Sequence, residues 1–525
     1  MLNPSAIGHD AYDFLDGNIS DFYNAVDDAI VKSECVKGQY RINTSPSYNS
    51  TSPVKTPNFT TFGISSSGPI VVDLENSYIT ANCKISLSSS LARGAACGAK
   101  LFIGWKSSFE AIRQYDILVN SSPIYTQSFA GTESFIQDQI LTELVKNTSP
   151  YTYTSYEEVK KSSPNVCGTY ISFAAAYVKD TNIDVTIPIK IPLSNFLILK
   201  NLKYLCSWMG KWELRVYFNW ENLVVCPIKP TFEPLSYDAY KVVSDTATVG
   251  FTQIGDAFTG ISAVAVVSGV ATATCAAETI TATAMETSET EVNLATFQLR
   301  MDINEELKAR YMDKPLTFPV NTFQISRFAG APNWGGAGTA LNTVLCQSVN
   351  NCDTVFILFP KTPNERTVFR NPKLKAVQLI CGEFGAYPQQ PIDTYNSPKF
   401  LNMVGDALNV NASPLTSFNY DTANSFMDTT YIRTAAGDDT TATYGNHDTS
   451  NFFVGIPFSI DDDFQGGLSS PSANINFKLL ATTSADLSAW ATPIIACFLI
   501  DGSVMIKPDP MGETARVIYT DRTIC

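Results

Sequence analysis

The chain has 525 residues and a mass of 57.3 kDa, which exceeds the roughly 200–250 residues of one large β-sandwich. Hydrophobic residues make up 45% of the chain and charged residues 16%, which excludes an intrinsically disordered protein. The formal net charge of −14 comes without any basic tail or patch in the sequence. A protein that holds nucleic acid directly needs such a patch, so direct or sequence-specific nucleic-acid binding is not expected.

The N-terminal region predicts helix followed by an extended segment. Residues 10–32 carry Phe14, Phe22, Val26 and Ile30 at helical spacing, which predicts one or two short amphipathic helices. The stretch 43–60 is rich in Ser, Thr, Asn and Pro. An apolar helical stripe on a polar tether can be buried on another subunit, so we expect residues 1–55 to form an arm that ties neighbouring copies, or minor partner proteins, together.

Alternating apolar and polar residues then predict β-strands. This pattern covers 79–87, 183–191 and 212–218 in the first half of the chain. A period of two indicates strands with one buried face. Pro188 lacks a backbone donor, which predicts that its strand lies at a sheet edge or is irregular.

One tract between the two halves has an unusual composition. No basic residue occurs between Lys241 and Arg300, and 244–290 consists mainly of Ala, Thr, Val, Ser and Gly. A flexible linker is one interpretation. The other is a long excursion from one sandwich that becomes ordered against a neighbour, which the Thr and Val content favours.

The second half repeats the strand pattern. Continuous apolar runs at 355–359 and 494–500 predict strands buried on both faces, and 473–479 alternates. Helical patterns are confined to short segments such as 133–146 and 304–312. We therefore predict an all-β chain of two tandem β-sandwiches with short helices in loops. The expected divisions are an acidic N-terminal arm at 1–59, a first sandwich at 60–305 with an insertion at 244–290, and a second sandwich at 306–525.

Cysteine usage predicts free thiols. None of the twelve cysteines forms a CxxC pair. The N-terminal sequence lacks the basic and apolar regions of a signal peptide, and no apolar run reaches the roughly 18–20 residues of a membrane span. We therefore expect a reducing compartment, where thiols stay reduced. The cysteines are Cys35, Cys83, Cys97, Cys167, Cys206, Cys226, Cys275, Cys346, Cys352, Cys381, Cys497 and Cys525.

The search for catalytic or metal-binding chemistry finds no supported site. His9 and His447, which are all the histidines of the chain, lie outside any nucleophile motif. The run Asp461–Asp463 lacks the spacing of a calcium loop and is read as a solvated turn. A carboxylate pair for glycoside hydrolysis stays open, because its members need not be close in sequence. We predict no catalytic residues, no cofactor and no metal site. We assign the tryptophans of the first half to core packing: Trp105, Trp208, Trp212 and Trp220.

Four stretches resemble the double jelly-roll major capsid proteins of double-stranded DNA viruses, in the branch of Polintons, polinton-like viruses, adintoviruses and virophages. They are IPIKIPLSNFLILKNLKYL at 187–205, GKWELRVYFNWENLVV at 210–225, RNPKLKAVQLICGEFGAYPQQPIDT at 370–394 and PFSIDDDFQGGLSSPSANINFKLLAT at 457–482. The resemblance covers roughly 60–525. The acidic N-terminal segment and 244–290 match no pattern of that family.

This resemblance implies two jelly rolls per subunit, homotrimers with a pseudo-hexagonal outline, and an icosahedral shell around a double-stranded DNA genome. It implies a virion location after synthesis in the host cytoplasm, with a penton protein and minor capsid proteins as partners, and no enzymatic activity. Three alternatives remain open: a single-jelly-roll capsid protein with long loops, as in parvoviruses; an adhesive or cell-surface β-sandwich protein; and a glycoside-active β-sandwich enzyme.

Overall fold

The computed structural model describes residues 9–44, 47–48, 57–94, 100–105, 108–129, 168–173, 176–219, 223–230, 240–242, 252–267, 270–312, 315–330, 332–360, 372–382, 385–394, 398–407, 432–434, 441–443, 452–458, 468, 475–484, 486–488, 490, 492–508 and 515–520. The predicted helix at 133–146 lies outside these residues.

Strands dominate the described part of the chain. The first half contains β1 (Gly38–Thr44), β2 (Ser47–Tyr48), β3 (Pro57–Gly63), β4 (Ile70–Ser89), β5 (Lys100–Gly104), β6 (Ile112–Val119), β7 (Ser122–Ser128), β8 (Gly168–Ser172), β9 (Asn182–Pro192), β10 (Tyr204–Cys206), β11 (Trp212–Phe218), β12 (Val224–Pro230), β13 (Tyr240–Val242), β14 (Thr252–Gln253), β15 (Ala257–Val267) and β16 (Val270–Gln298). The second half contains β17 (Leu316–Arg327), β18 (Ala340–Gln347), β19 (Cys352–Leu358), β20 (Leu374–Cys381), β21 (Ala386–Ile392), β22 (Ile432–Thr434), β23 (Thr441–Thr443), β24 (Val454–Pro457), β25 (Ile475–Thr483), β26 (Ile495–Lys507) and β27 (Arg516–Thr520).

Helices connect or flank the strands. They are α1 (His9–Lys32), α2 (Leu197–Lys200), α3 (Met301–Tyr311) and α4 (Pro398–Ala407), with 3-10 turns at Ser108–Ala111, Leu193–Asn195 and Ser207–Met209. The helical patterns at 10–32 and 304–312 are confirmed by α1 and α3, and α1 is one continuous helix.

The first eight-stranded unit has a defined strand order. One sheet runs β1-β16-β4, with β9 and β10 following one another along the far side of β4. The facing sheet runs β3-β11-β6-β7, with β2 beside β3. The eight principal strands, in chain order, are β1, β3, β4, β6, β7, β9 with β10, β11 and β16. Numbered 1 to 8 in this order, the two sheets run 1-8-3-6 and 2-7-4-5. This order, two interlocked Greek keys in two antiparallel sheets, is a jelly roll.

The second unit repeats the same order. One sheet runs β17-β26-β19-β24 and the other β18-β25-β20-β21. Numbered in chain order, with the β22–β23 hairpin as part of a loop, these sheets again read 1-8-3-6 and 2-7-4-5. Two complete sets of eight strands confirm the predicted fold class, a double jelly roll. They also exclude the alternative with a single jelly roll and long loops.

The predicted alternation is confirmed in the cores. Along β11 the side chains alternate between buried and half-buried, and Trp212 is fully buried. Tyr115 of β6 packs edge-on against Phe196 with ring centroids 4.9 Å apart, and Phe477 of β25 packs against Phe498 of β26 at 5.0 Å. Each such buried side chain stabilises the fold by about 1.5–3 kcal/mol. Pro188 lies in β9, whose strand partner in the described residues is β4 alone, as expected for an edge strand.

The two jelly rolls share strands that pass through both cores. The first part of β17 places Leu316, Phe318 and Val320 in the first core, and Phe323 lies in the second. Strand β26 is antiparallel to β17 and also contributes side chains to both cores. Residues Ile495–Ile500 belong to the second core, whereas Val504 and Ile506 belong to the first. The junction is therefore a continuous, packed β-structure.

Helix α1 packs into this junction. Phe22 is fully buried and lies edge-on to Trp208, Tyr311 and Phe318, with ring centroids 5.3–6.2 Å apart. The hydroxyl of Tyr204 donates to Asp27 over 2.6 Å. The expectation that this apolar stripe covers another subunit is wrong for residues 19–30, because the stripe covers aromatic residues of its own chain. Strand β1, which follows α1, pairs with β16 in the first jelly roll.

Candidate functional site

The connections at one end of the first jelly roll form an additional sheet. Successive strands of a jelly roll alternate in direction, so the connections 3–4, 5–6 and 7–8 emerge at the same end. They contribute β5, β8 and β12–β14, respectively. These strands pair in the order β13-β12-β5-β8, with β14 beside β12. We call this five-stranded element the end sheet.

Strand β15 and the first part of β16, residues 257–279, form a two-stranded antiparallel hairpin that we call the ribbon. Strand β16 pairs with β4 from Ile280 onwards, whereas its first part pairs with β15 from Val270 to Thr279. Ten residues of strand extend about 30 Å at 3.3 Å per residue. Thus part of the tract 244–290 is a hairpin beyond the sheet, and part is a central strand of the first jelly roll. The boundaries of the predicted domains and of the predicted insertion remain predictions.

Aromatic residues close the corresponding end of the second jelly roll. Trp334 contacts Trp490 at a centroid distance of 5.7 Å and Phe359 at 6.4 Å. Phe452 contacts Phe359 at 6.1 Å and Phe400 at 5.7 Å. These residues come from all four connections at that end, so one aromatic cluster holds the loops together. Their separation in sequence, from 334 to 490, leaves no local signal that could have revealed the cluster.

Of the two histidines and the Asp461–Asp463 run, only His9 lies in the described part of the chain. His9 is the first residue of α1, whereas His447 and Asp461–Asp463 lie outside the described residues. Within the described ranges, no group of three or more His, Cys, Asp or Glu side chains could hold a metal ion. Trp105 and Trp212 are fully buried, and Trp208 is 8% exposed, which confirms their prediction as core residues; Trp220 lies outside the described part.

Two carboxylates form an electrostatically strained pair that sequence reasoning missed. Asp501 of β26 lies near Asp353 of β19, and its Oδ1 accepts a hydrogen bond from Asn321 Nδ2 over 2.6 Å. Burial, and then the negative charge of Asp353, raises the pKa of Asp501 well above its usual value. Because Asn321 and Asp501 lie on β17 and β26, the two strands that pass through both cores, we interpret the pair as part of the junction.

Seven cysteines in the described residues form no disulfide. Most are buried: Cys83, Cys206, Cys352, Cys381 and Cys497. Burial raises the pKa of Cys206 and that of Cys381 to about 12, which disfavours the reactive thiolate. Cys346 is exposed and Cys35 half-buried.

Across the segments that the structure describes, no helix is long and apolar enough to span a bilayer.

Comparison with known proteins gives structural matches and no sequence match. No family model matches the chain, and no curated protein matches it. A chain of the Sputnik virophage particle is 12% identical, with 93% of this chain and 89% of that chain covered and a TM-score of 0.47. The mavirus major capsid protein is 11% identical, with 92% and 91% covered and a TM-score of 0.46. The Faustovirus major capsid protein is 10% identical, with 94% and 98% covered and a TM-score of 0.34.

These structural neighbours are components of virus particles, two of them major capsid proteins by name. The fold assignment itself rests on the strand order of this chain. The double jelly roll that the sequence resemblance implied is therefore confirmed as the fold of this protein.

Proposed function

We propose that the chain is a major capsid protein, which trimerises into pseudo-hexagonal capsomers that build an icosahedral shell around a double-stranded DNA genome. The observation that carries the proposal is the pair of jelly rolls with identical strand order, fused through β17 and β26. Two similar units in one chain give six in a trimer, and six equal units approximate a hexagon that can tile a surface.

The rigidity of the junction supports this role. A shell subunit must hold its two jelly rolls at one angle, because a variable angle would give capsomers of variable outline. Here the core of the first unit includes residues of β17, β26 and α1, so bending at the junction would break packed contacts. Few contacts normally connect two independent domains across their linker, whereas many packed side chains connect the two units here.

The low content of charged residues in the chain supports association with further copies. Charged residues make up only 16% of the chain, compared with about 25% in ordinary soluble domains. Closed symmetry is the usual means by which proteins bury large lateral faces. We further infer that the protein resides in the virion after synthesis in the host cytoplasm. In this proposal it acts without enzymatic activity, cofactor or metal, and it meets a penton protein and minor capsid proteins in the shell.

An adhesive or cell-surface β-sandwich protein is the second candidate, and a glycoside-active enzyme the third. An exported protein of this type would be stabilised by paired cysteines. Seven cysteines in the described residues form no disulfide: Cys35, Cys83, Cys206, Cys346, Cys352, Cys381 and Cys497. A carboxylate pair that hydrolyses glycosides needs a separation of about 5–9.5 Å across a substrate cleft. Asp353 and Asp501 lie on the neighbouring strands β19 and β26 among the residues that join the two cores, and the raised pKa of Asp501 follows from burial and from the charge of Asp353.

Negative-stain images of the purified full-length chain test the proposal. We expect particles with a six-lobed outline and, at high salt or high protein concentration, closed shells. Uniform particles of single-chain size under all these conditions would contradict it. Turnover on a panel of polysaccharides would instead support the enzymatic alternative.

A further inference from the structure

A fully buried ion pair lies at the base of the ribbon. Arg93 Nη2 donates to both carboxylate oxygens of Glu278, over 2.5 and 2.6 Å, and both side chains have 0% exposure. Ser89 Oγ donates to the same carboxylate over 2.5 Å and accepts from Arg93 Nη1 over 3.2 Å. Both charges are therefore hydrogen-bonded inside the protein, out of contact with water.

The pair joins three connections of the first jelly roll. Arg93 follows β4, in connection 3–4, and Glu278 lies on the ribbon, in connection 7–8. The guanidinium also lies 3.9 Å from the ring centroid of Phe173, which follows β8 in connection 5–6. The backbones of Arg93 and Tyr177 exchange two hydrogen bonds of 3.0 Å. One guanidinium thus contacts all three connections that supply the end sheet.

The opposite strand of the ribbon is shaped to admit the carboxylate. Gly260 of β15 pairs with Ala276, and a Cβ atom built on Gly260 would lie 1.7 Å from Glu278 Oε2. Any side chain at position 260 would therefore displace the carboxylate from Arg93. Next to the ion pair, the Thr279 backbone N–H donates to Ser90 Oγ over 2.9 Å, which fixes the register of the ribbon at this point.

The energetics favour a role in geometry and not in overall stability. Removing two charges from water costs several kcal/mol per ion, and hydrophobic replacement of a buried pair is often neutral or stabilising. Arg93 Nε adds to the cost, since this buried atom has no acceptor within the described residues. A two-stranded ribbon is only marginally stable by itself. A directional contact at its base can restrict it to one orientation, whereas an apolar contact would allow several.

We propose that the Arg93–Glu278 pair is a pin that holds the ribbon and the end sheet in a single orientation. The pin makes this end of the first jelly roll a preformed surface.

The test uses the full-length chain and a hydrophobic replacement. Arg93→Met combined with Glu278→Leu keeps the side-chain volume of the pair and removes its charges and directional hydrogen bonds. The matched control is Arg300→Met with Asp302→Leu. In the unchanged protein, Arg300 Nη2 lies 2.7 Å from Asp302 Oδ2, and both side chains are more than 60% exposed. Elastase cleavage within 257–279 reports the ribbon, because Ala and Val are abundant there, and the denaturant midpoint reports global stability.

We expect the double variant at the pin to unfold at a midpoint close to that of the unchanged protein while elastase cuts the ribbon at least tenfold faster. The control should change neither value. Equal protection of the ribbon in the pin variant and the unchanged protein would overturn the proposal. If the pin variant fails to fold, Glu278→Gln, which keeps size and one acceptor, takes its place under the same criterion. Because cleavage is measured on soluble protein, the result does not depend on whether the chain forms shells.

Discussion

Phe22→Ala tests whether α1 stabilises the junction between the two jelly rolls. The Phe22 ring is fully buried and meets Trp208, Tyr311 and Phe318 edge-on. Truncating a buried Phe to Ala costs about 3–5 kcal/mol. Each aromatic contact contributes about 0.5–1.5 kcal/mol beyond its area. We therefore expect a loss in the upper part of the first range, about 4–5 kcal/mol.

Denaturant unfolding followed by tryptophan fluorescence measures this loss, because Trp208 lies 6.2 Å from the ring of Phe22. Asp28→Ala is the control on the same helix, since Asp28 is exposed and its replacement should change the free energy of unfolding by less than about 0.5 kcal/mol. A loss below about 1 kcal/mol for Phe22→Ala would refute the reasoning and return α1 to the role of an arm on another subunit.

Three further predictions concern charge, thiols and the N-terminal region. Since the folded-state pKa of Asp501 is raised, its stabilising contribution is present below the unfolded pKa and lost as pH rises through the folded pKa. Asp501→Asn should therefore stabilise the protein more at pH 8 than at pH 4, and equal midpoint shifts at both pH values would contradict this. Glu305→Gln on the exposed face of α3 is the matched control. A thiol reagent at pH 8 should modify the exposed Cys346 in the folded protein. It should reach the buried cysteines only after unfolding: Cys83, Cys206, Cys352, Cys381 and Cys497. Without reductant, the denatured chain should give close to twelve reactive thiols, and a count near zero would contradict free cysteines. Deleting residues 1–55 should lower the yield of folded protein, because it removes α1 and β1; a deletion variant as stable as the full chain would show that both are dispensable.

Local periodicity was sufficient to predict many strands. In β4 the predicted inward set, from Ile79 to Leu87, is buried, because a period of two places alternate side chains on one face. The edge position of Pro188 followed from its missing donor. Two tandem β-sandwiches also followed from alternating strands in both halves, whereas the jelly-roll strand order came from the resemblance to a known family.

Long-range packing was not accessible to the same reasoning. The stripe of α1 was read correctly as amphipathic, but a helical pattern does not specify which molecule supplies the apolar partner. Likewise, the composition of 244–290 could not separate a ribbon from a central strand, because Thr and Val suit both. Arg93 and Glu278 are 185 residues apart in sequence, so only the three-dimensional register brings them together.

The central claim is that three copies of this chain form one capsomer. Light scattering on the purified full-length protein measures this directly. We expect a mass of three times the 57.3 kDa chain, or very large particles when assembly proceeds. The trimer should persist on dilution until the chain unfolds, because folding and association would share buried surface. A folded monomer of 57.3 kDa at micromolar concentration, with no shells at any salt concentration, would contradict the account.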